Sequence, residues 1–281
     1  MSNRAEMLVQ PIRRTKERKS SWSGLKWKAR LNDSMIGAIL PVMIVMVWQL
    51  AGKLGLISTF FLPTPAMILE SFKEMILSGE LAVNLSISIQ RAAAGFAIGG
   101  SLGLLFGLLV GFSRKAEHTL DPSFQMLRMV PHLALAPLII LWFGFGETSK
   151  VFIIANGAFF PMYINTFAGI RSVDNRLFDV AGVLEFSRFK QITRLILPAA
   201  LPNILLGVRL SLAVSWLGLV VAELIGSQSG IGFLINIGKQ NSTTEVIFVG
   251  VLIFAIVGKL FDSFVRLLER RWLHWRDSYK G

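Results

Sequence analysis

Six stretches of this chain are apolar over nearly the length needed to cross a lipid bilayer. They cover about 35–51, 85–112, 127–145, 151–170, 204–225 and 246–264. An α-helix needs roughly 20 apolar residues to span the hydrocarbon core. In hydrocarbon each backbone N–H and C=O must be satisfied within the segment, so such runs fold as helices. Only 16% of the residues are charged, against about 25% in soluble domains. That is too little polar surface to cover a water-facing globule. The sequence predicts an all-α integral membrane protein of about six transmembrane helices.

Two other segments are not spans. Residues 65–78, PAMILESFKEMILS, are amphipathic and too short, and are expected along the outer surface. Residues 229–239 are Gly-rich and fit a short re-entrant or interfacial piece.

The net charge is +12, and its distribution is informative. With the N-terminus inside, the inner loops carry Arg114, Lys115, Arg171, Arg176, Arg188, Lys190 and Arg194. The end of the chain adds Arg266, Arg270, Arg271, Arg276 and Lys280. The outer loops hold little beyond Lys53, Lys73, Lys150 and Lys239. Basic loops stay on the cytoplasmic face, so both termini are expected there. The charge is topological, with no nucleic-acid partner implied. The chain divides into a basic cytoplasmic tail at 1–33, a transmembrane domain at 34–268 and a cytoplasmic tail at 269–281. The first apolar run begins too late for a secretory signal. Trp22 and Trp27 among the basic residues point to contact with an anionic membrane surface.

Catalytic chemistry is missing from the pattern. There is no cysteine, and His118, His132 and His274 lack metal-ligand spacing. The nearest approach to a phosphate loop, GFLINIGK at 232–239, is one residue too long. Gln240 follows it where Ser or Thr belongs. No catalytic residue, metal site or cofactor is expected in this chain, and enzyme activity is not.

Polar residues inside apolar spans are costly, so each is a candidate for function. Asn156 and Asn165 lie in the fourth span. Arg209, Ser211 and Ser215 lie in the fifth, with Glu223 near its outer end. Glu223 is read as reaching outer water or closing an outer gate. Arg209 lies close enough to the inner face to snorkel. Lys259 and Asp262, three apart, are expected to pair across one turn. Arg128 and His132, at the inner end of the third span, are candidates to meet an anion. Pro131 and Pro137 predict a kink there. In the second span Gly95, Gly99, Gly103, Gly107 and Gly111 recur every four residues. They form one smooth face for close helix packing, or a surface that slides. No chain of acids crosses the bilayer, which argues against a proton-coupled carrier.

Between the fourth and fifth spans lies a polar, helix-prone island at 179–202, DVAGVLEFSRFKQITRLILPAALP. It resembles the cytoplasmic loop shared by the inner-membrane permeases of bacterial ABC importers. That loop reads E-A-A, three residues, G, nine residues, I-x-L-P. Here Asp179, Val180 and Ala181 stand at E-A-A, and Leu195, Leu197 and Pro198 stand at I, L and P. Glu185 occupies the glycine position, with Gly182 one turn earlier. Either the glutamate alters the angle between the helices or the turn has moved. The likeness extends over most of the chain. It is similar to the branch that imports aliphatic sulfonates, with taurine, nitrate and bicarbonate permeases as relatives. Examples are LPTPAMI at 62–68, FPMYINTFAGIR at 160–171 and SGIGFLI at 229–235.

The resemblance implies a type I importer permease fold with a coupling loop at 171–202. It implies a homodimer of this chain in the bacterial cytoplasmic membrane and an extracellular or periplasmic substrate-binding protein. Two copies of a cytoplasmic ATPase would carry ATP and Mg. Transport would be by ATP-driven alternating access, with a small organic anion such as an alkanesulfonate as cargo. A thiamine precursor is a further substrate option within the same class. A self-contained carrier or channel is the alternative from a different class.

Overall fold

A computed structural model describes residues 39–273. The tail expected at 1–33, with Trp22 and Trp27, lies outside the described residues, as does the C-terminal tail beyond 273. Among the described residues the regular structure is helical. Helix α1 covers Ile39–Lys53. It is followed by α2 Pro65–Leu77, α3 Glu80–Phe112, α4 Arg114–Leu127, α5 Ala136–Phe143 and α6 Glu147–Arg171. Then come α7 Asn175–Val183, α8 Arg188–Gln191, α9 Leu197–Leu224, α10 Ile231–Gln240 and α11 Thr244–Trp272. A 3-10 turn, His132–Leu135, leads into α5, and a π-helical turn, Ile192–Ile196, joins α8 to α9.

Four helical segments are long and apolar enough to cross a bilayer: α3, α6, the continuous run Arg188–Leu224, and α11. The third expected span is broken. Helix α4 and the segment His132–Phe143 pass the same test only as a pair bent by 76°. Pro131 sits at the break, where it lacks an N–H and keeps Val130 out of the helical region. Pro137 lies in the first turn of α5, where proline is tolerated. The expected first span falls on α1, a shorter apolar helix.

Helices α3 and α6 run parallel and share the largest interface in the bundle. The glycine ladder forms that interface. Gly95 faces Ile154, Gly103 faces Met162, Gly107 faces Thr166 and Gly111 faces Ile170. A β-carbon on Gly99 would collide with the backbone of Ala155. Helix α9 runs antiparallel to α6, since Gly218 meets Ile153 while Asn203 meets Gly169. Helix α11 returns antiparallel to α9, where the Trp216 indole donates to the Phe254 carbonyl at 2.9 Å. The bundle therefore has a Glu147 end and an Asp179 end.

The main core surrounds Trp216, Leu219, Ile231, Val249 and Phe254, and draws in Ile68 and Met75 from α2. Helix α2 is capped by the Thr64 hydroxyl, which accepts from the Met67 N–H, with Pro65 in its first turn. A second set of rings holds the bent arm α4 in place. Phe124 packs on Phe106, Phe159 and Tyr163, and the Tyr163 hydroxyl donates to Asp121 at 2.6 Å.

Candidate functional site

The 179–202 island folds as helix, turn, helix at the Asp179 end. Asp174 caps α7 by accepting from the Arg176 N–H at 2.9 Å. The helix closes with two backbone bonds, Phe186 N–H to Ala181 C=O at 2.9 Å and Glu185 N–H to Gly182 C=O at 3.1 Å. This is a Schellman motif, which needs a left-handed residue just past the helix end. Glu185 is that residue, with φ of 50°. The turn has therefore not moved. A glutamate holds the conformation that glycine adopts most easily, and the register of the motif is intact. Gly182 lies inside α7, where an added β-carbon would meet nothing within 4 Å.

Beyond the turn, Ser187 caps α8, and the chain stays helical into the span. Pro198 cannot donate to the Arg194 carbonyl, and the helix widens into the π-turn just ahead of it. Ile196, Ala200 and Ile170 are buried together, with Phe178, Ile192 and Leu195 packed against them. Ala181 is buried, whereas Asp179, Val180, Val183, Leu184 and Phe189 are exposed. Leu197 is half-buried and Pro198 exposed.

At the other end lies a polar cluster centred on Arg91, a residue that the sequence reading passed over. Arg91 is 4% exposed and Glu223 is 0% exposed. Arg91 Nη1 donates to Glu223 Oε1 at 2.8 Å. Its Nε and Nη2 each donate to Glu147 at 2.6 Å. Glu223 Oε2 accepts from the Gly232 N–H at 2.8 Å, and Ser88 Oγ donates to the same carboxylate. Ser88 and Asn84 accept from the N–H groups of Ile231 and Gly230. The open N-terminus of α10 is thus satisfied by three side chains from α3 and α9. The reading of Glu223 as a group reaching water is corrected: it is sealed beneath α10. The signal for Arg91 was a lone arginine inside the second apolar run.

A family profile described as "Binding-protein-dependent transport system inner membrane component" matches residues 99–274. The chain belongs to this family. The permease is 62% identical over 247 residues to the putative aliphatic sulfonates transport permease protein SsuC of Bacillus subtilis, covering 88% of this chain and 90% of the relative. It is 49% identical over 240 residues to the protein of the same description from Escherichia coli, covering 85% and 91%. To the taurine transport system permease protein TauC of Escherichia coli it is 34% identical over 260 residues, covering 90% and 94%. Its fold is similar to a chain of an amino acid ABC transporter solved with histidines. That match has a TM-score of 0.60 at 21% identity and covers 71% of this chain and 98% of the other. The permease is thus an all-helical, multi-pass inner-membrane component of a transport system.

The remaining candidate residues of the permease are scattered. Arg128 is exposed at the end of α4. His132 packs against Gly157 of α6, and its buried Nε2 has no hydrogen-bond partner among the described residues. The Ser215 hydroxyl is buried in the same condition. Asn156 is half-buried. Asn165 donates to the Pro161 carbonyl at 2.8 Å, and Ser211 to that of Ala158 at 2.8 Å. Arg209 pairs with Asp262 at 2.8 Å, and Arg266 joins it at 2.8 Å. Lys259 lies farther off at 3.8 Å, so the expected pair is the weakest of the three contacts. Among the described residues no group of three His, Asp or Glu side chains could hold a metal.

Proposed function

We propose that this permease is the membrane-spanning subunit of an ATP-binding-cassette importer for aliphatic sulfonates. The observation that carries the substrate class is the 62% identity to the Bacillus subtilis SsuC protein over 88% of the chain. Both termini are cytoplasmic, and the protein sits in the bacterial cytoplasmic membrane as a homodimer. The Asp179 end then faces the cytoplasm. There α7 and α8 dock on an ATPase subunit, one for each permease. ATP and Mg belong to that partner, and a substrate-binding protein delivers the sulfonate at the Glu147 end. The permease itself catalyses no reaction.

The geometry of the coupling segment supports this reading. Val180, Val183, Leu184 and Phe189 are exposed apolar side chains in the segment that precedes the span. Helix α8 continues through the π-turn into α9 as one 37-residue helical run. A displacement of α8 by the closing ATPase dimer is therefore transmitted to α9 without an intervening loop. This is a two-state element biased from a distant site.

The test is uptake of isotopically labelled ethanesulfonate in cells lacking the native system. Uptake should require this permease, an ATPase with an intact phosphate-loop lysine, and the binding protein. Uptake by the permease alone in vesicles without ATP would overturn the importer reading. Uptake of nitrate or bicarbonate with no uptake of any sulfonate would overturn the substrate class.

A further inference from the structure

We propose that Arg91, Lys150 and Ser229 form an anion subsite at the Glu147 end, closed in this structure by the carboxylate of Glu147. The proposal rests on the reading that the cargo is a small organic anion.

Glu147 is held like a ligand. Its two oxygens accept from Arg91 Nε and Nη2 at 2.6 Å each and from Lys150 Nζ at 3.0 Å. Ser229 Oγ lies 2.9 Å from Arg91 Nη2. The two cations are buried, at 4% and 6% exposure, whereas the Glu147 side chain is 62% exposed. An open cleft of about 400 Å³ borders the group, lined by Phe145, Glu147, Lys150, Gln228 and Ser229. The cationic half is thus fixed in the protein, and the anionic half is the part in reach of water.

Arg91 stays in place without Glu147. Arg91 Nη1 is bonded to Glu223, to the Ser227 hydroxyl and to the Ser229 carbonyl. Glu147 begins α6 and follows Gly144, Phe145 and Gly146. The two glycines have open space around them, and Gly144 has φ of 74°. Glu147 is the first residue of α6 and its side chain is 62% exposed, so it can swing out into the cleft while Lys150, one turn further in, stays buried. With Glu147 in place, Arg91, Lys150, Glu147 and Glu223 sum to zero charge. Once it swings away, the remaining three sum to +1, with both cations held in buried positions behind the open cleft. Such a site attracts an anion. The planar guanidinium fork that grips two carboxylate oxygens fits two oxygens of a sulfonate equally well. Glu147 acts as a tethered competitor, which keeps the subsite weak enough to release cargo onward.

The experiment uses the full transporter, permease with its ATPase, in nanodiscs, titrated by calorimetry with ethanesulfonate and with uncharged ethanesulfonamide. Glu147→Gln should bind ethanesulfonate about tenfold more tightly than the parent protein, the size of one charge-assisted hydrogen bond. Adding Lys150→Gln to that variant should remove the gain. Glu147→Ala serves if the glutamine variant fails to fold. Equal affinity in variant and parent, or a gain shared by the sulfonamide, overturns the subsite. Uptake by the parent transporter is measured alongside. Uptake without a gain in Glu147→Gln removes the subsite and leaves the importer reading standing. A gain without any uptake does the reverse.

Discussion

Arg91 on α3 and Glu223 on α9 form an ion pair at 2.8 Å with both side chains buried. The pair also organises a third element. Glu223 accepts from the Gly232 N–H at the start of α10, so one carboxylate binds a guanidinium and a helix N-terminus together.

Removing one partner of such a pair leaves an uncompensated buried charge. Arg91→Met alone and Glu223→Met alone should therefore each destabilise the permease by about 3 kcal/mol or more. Arg91→Met combined with Glu223→Met should recover much of that loss, because the apolar pair leaves no charge behind. Thermal unfolding of the four proteins in one detergent measures the cycle. A double variant that loses the sum of the two single losses would show that the residues are not coupled.

Glu185 tests the turn between α7 and α8. A left-handed backbone costs a non-glycine residue about 1 kcal/mol. Glu185→Gly should therefore slow amide exchange at Phe186, whose N–H closes the Schellman motif. Glu185→Val should speed it, because a β-branched residue tolerates positive φ worst. Unchanged exchange in both variants would mean that residue 185 is not left-handed in the membrane.

Much of this arrangement was legible in the sequence. The apolar runs located α3, α6, α9 and α11, and the four-residue glycine repeat located the α3–α6 interface. The motif spacing located α7 and the turn. What could not be read was pairing across long sequence separations. Arg91 meets Glu147 and Glu223, 56 and 132 residues away, and no periodicity encodes that. Asp262 was assigned to its local neighbour Lys259, while the bundle supplied Arg209 from another helix. The break at Pro131 was visible as a proline, but its 76° angle depends on how α4 packs on Phe159 and Tyr163.

The two kinds of glycine in the chain should respond oppositely to substitution. Gly99→Val forces side-chain atoms into the Ala155 backbone. It should cost about 3 kcal/mol as overpacking at a helix interface. Gly182→Ala adds a methyl group to open space inside α7. It should gain about 0.5–1 kcal/mol from helix propensity. Melting temperatures in detergent separate the two, and a stable Gly99→Val protein would rule out the α3–α6 packing.

Asp179 and Ala181 lie two residues apart in α7, and their burial predicts different failures. Ala181 is 1% exposed, so Ala181→Lys places a charged chain where there is no room for it. That variant should lose melting temperature and ATPase association together. Asp179 is exposed, so Asp179→Lys should leave stability within about 0.5 kcal/mol of the parent. If α7 docks on the ATPase, the reversed charge acts at the interface. Association should weaken by about tenfold, the size of one interfacial charge pair. Co-purification of the ATPase and ATP-driven uptake should both fall while the protein stays folded in the membrane. Normal uptake by a folded Asp179→Lys permease would show that this face of α7 is not where the ATPase binds.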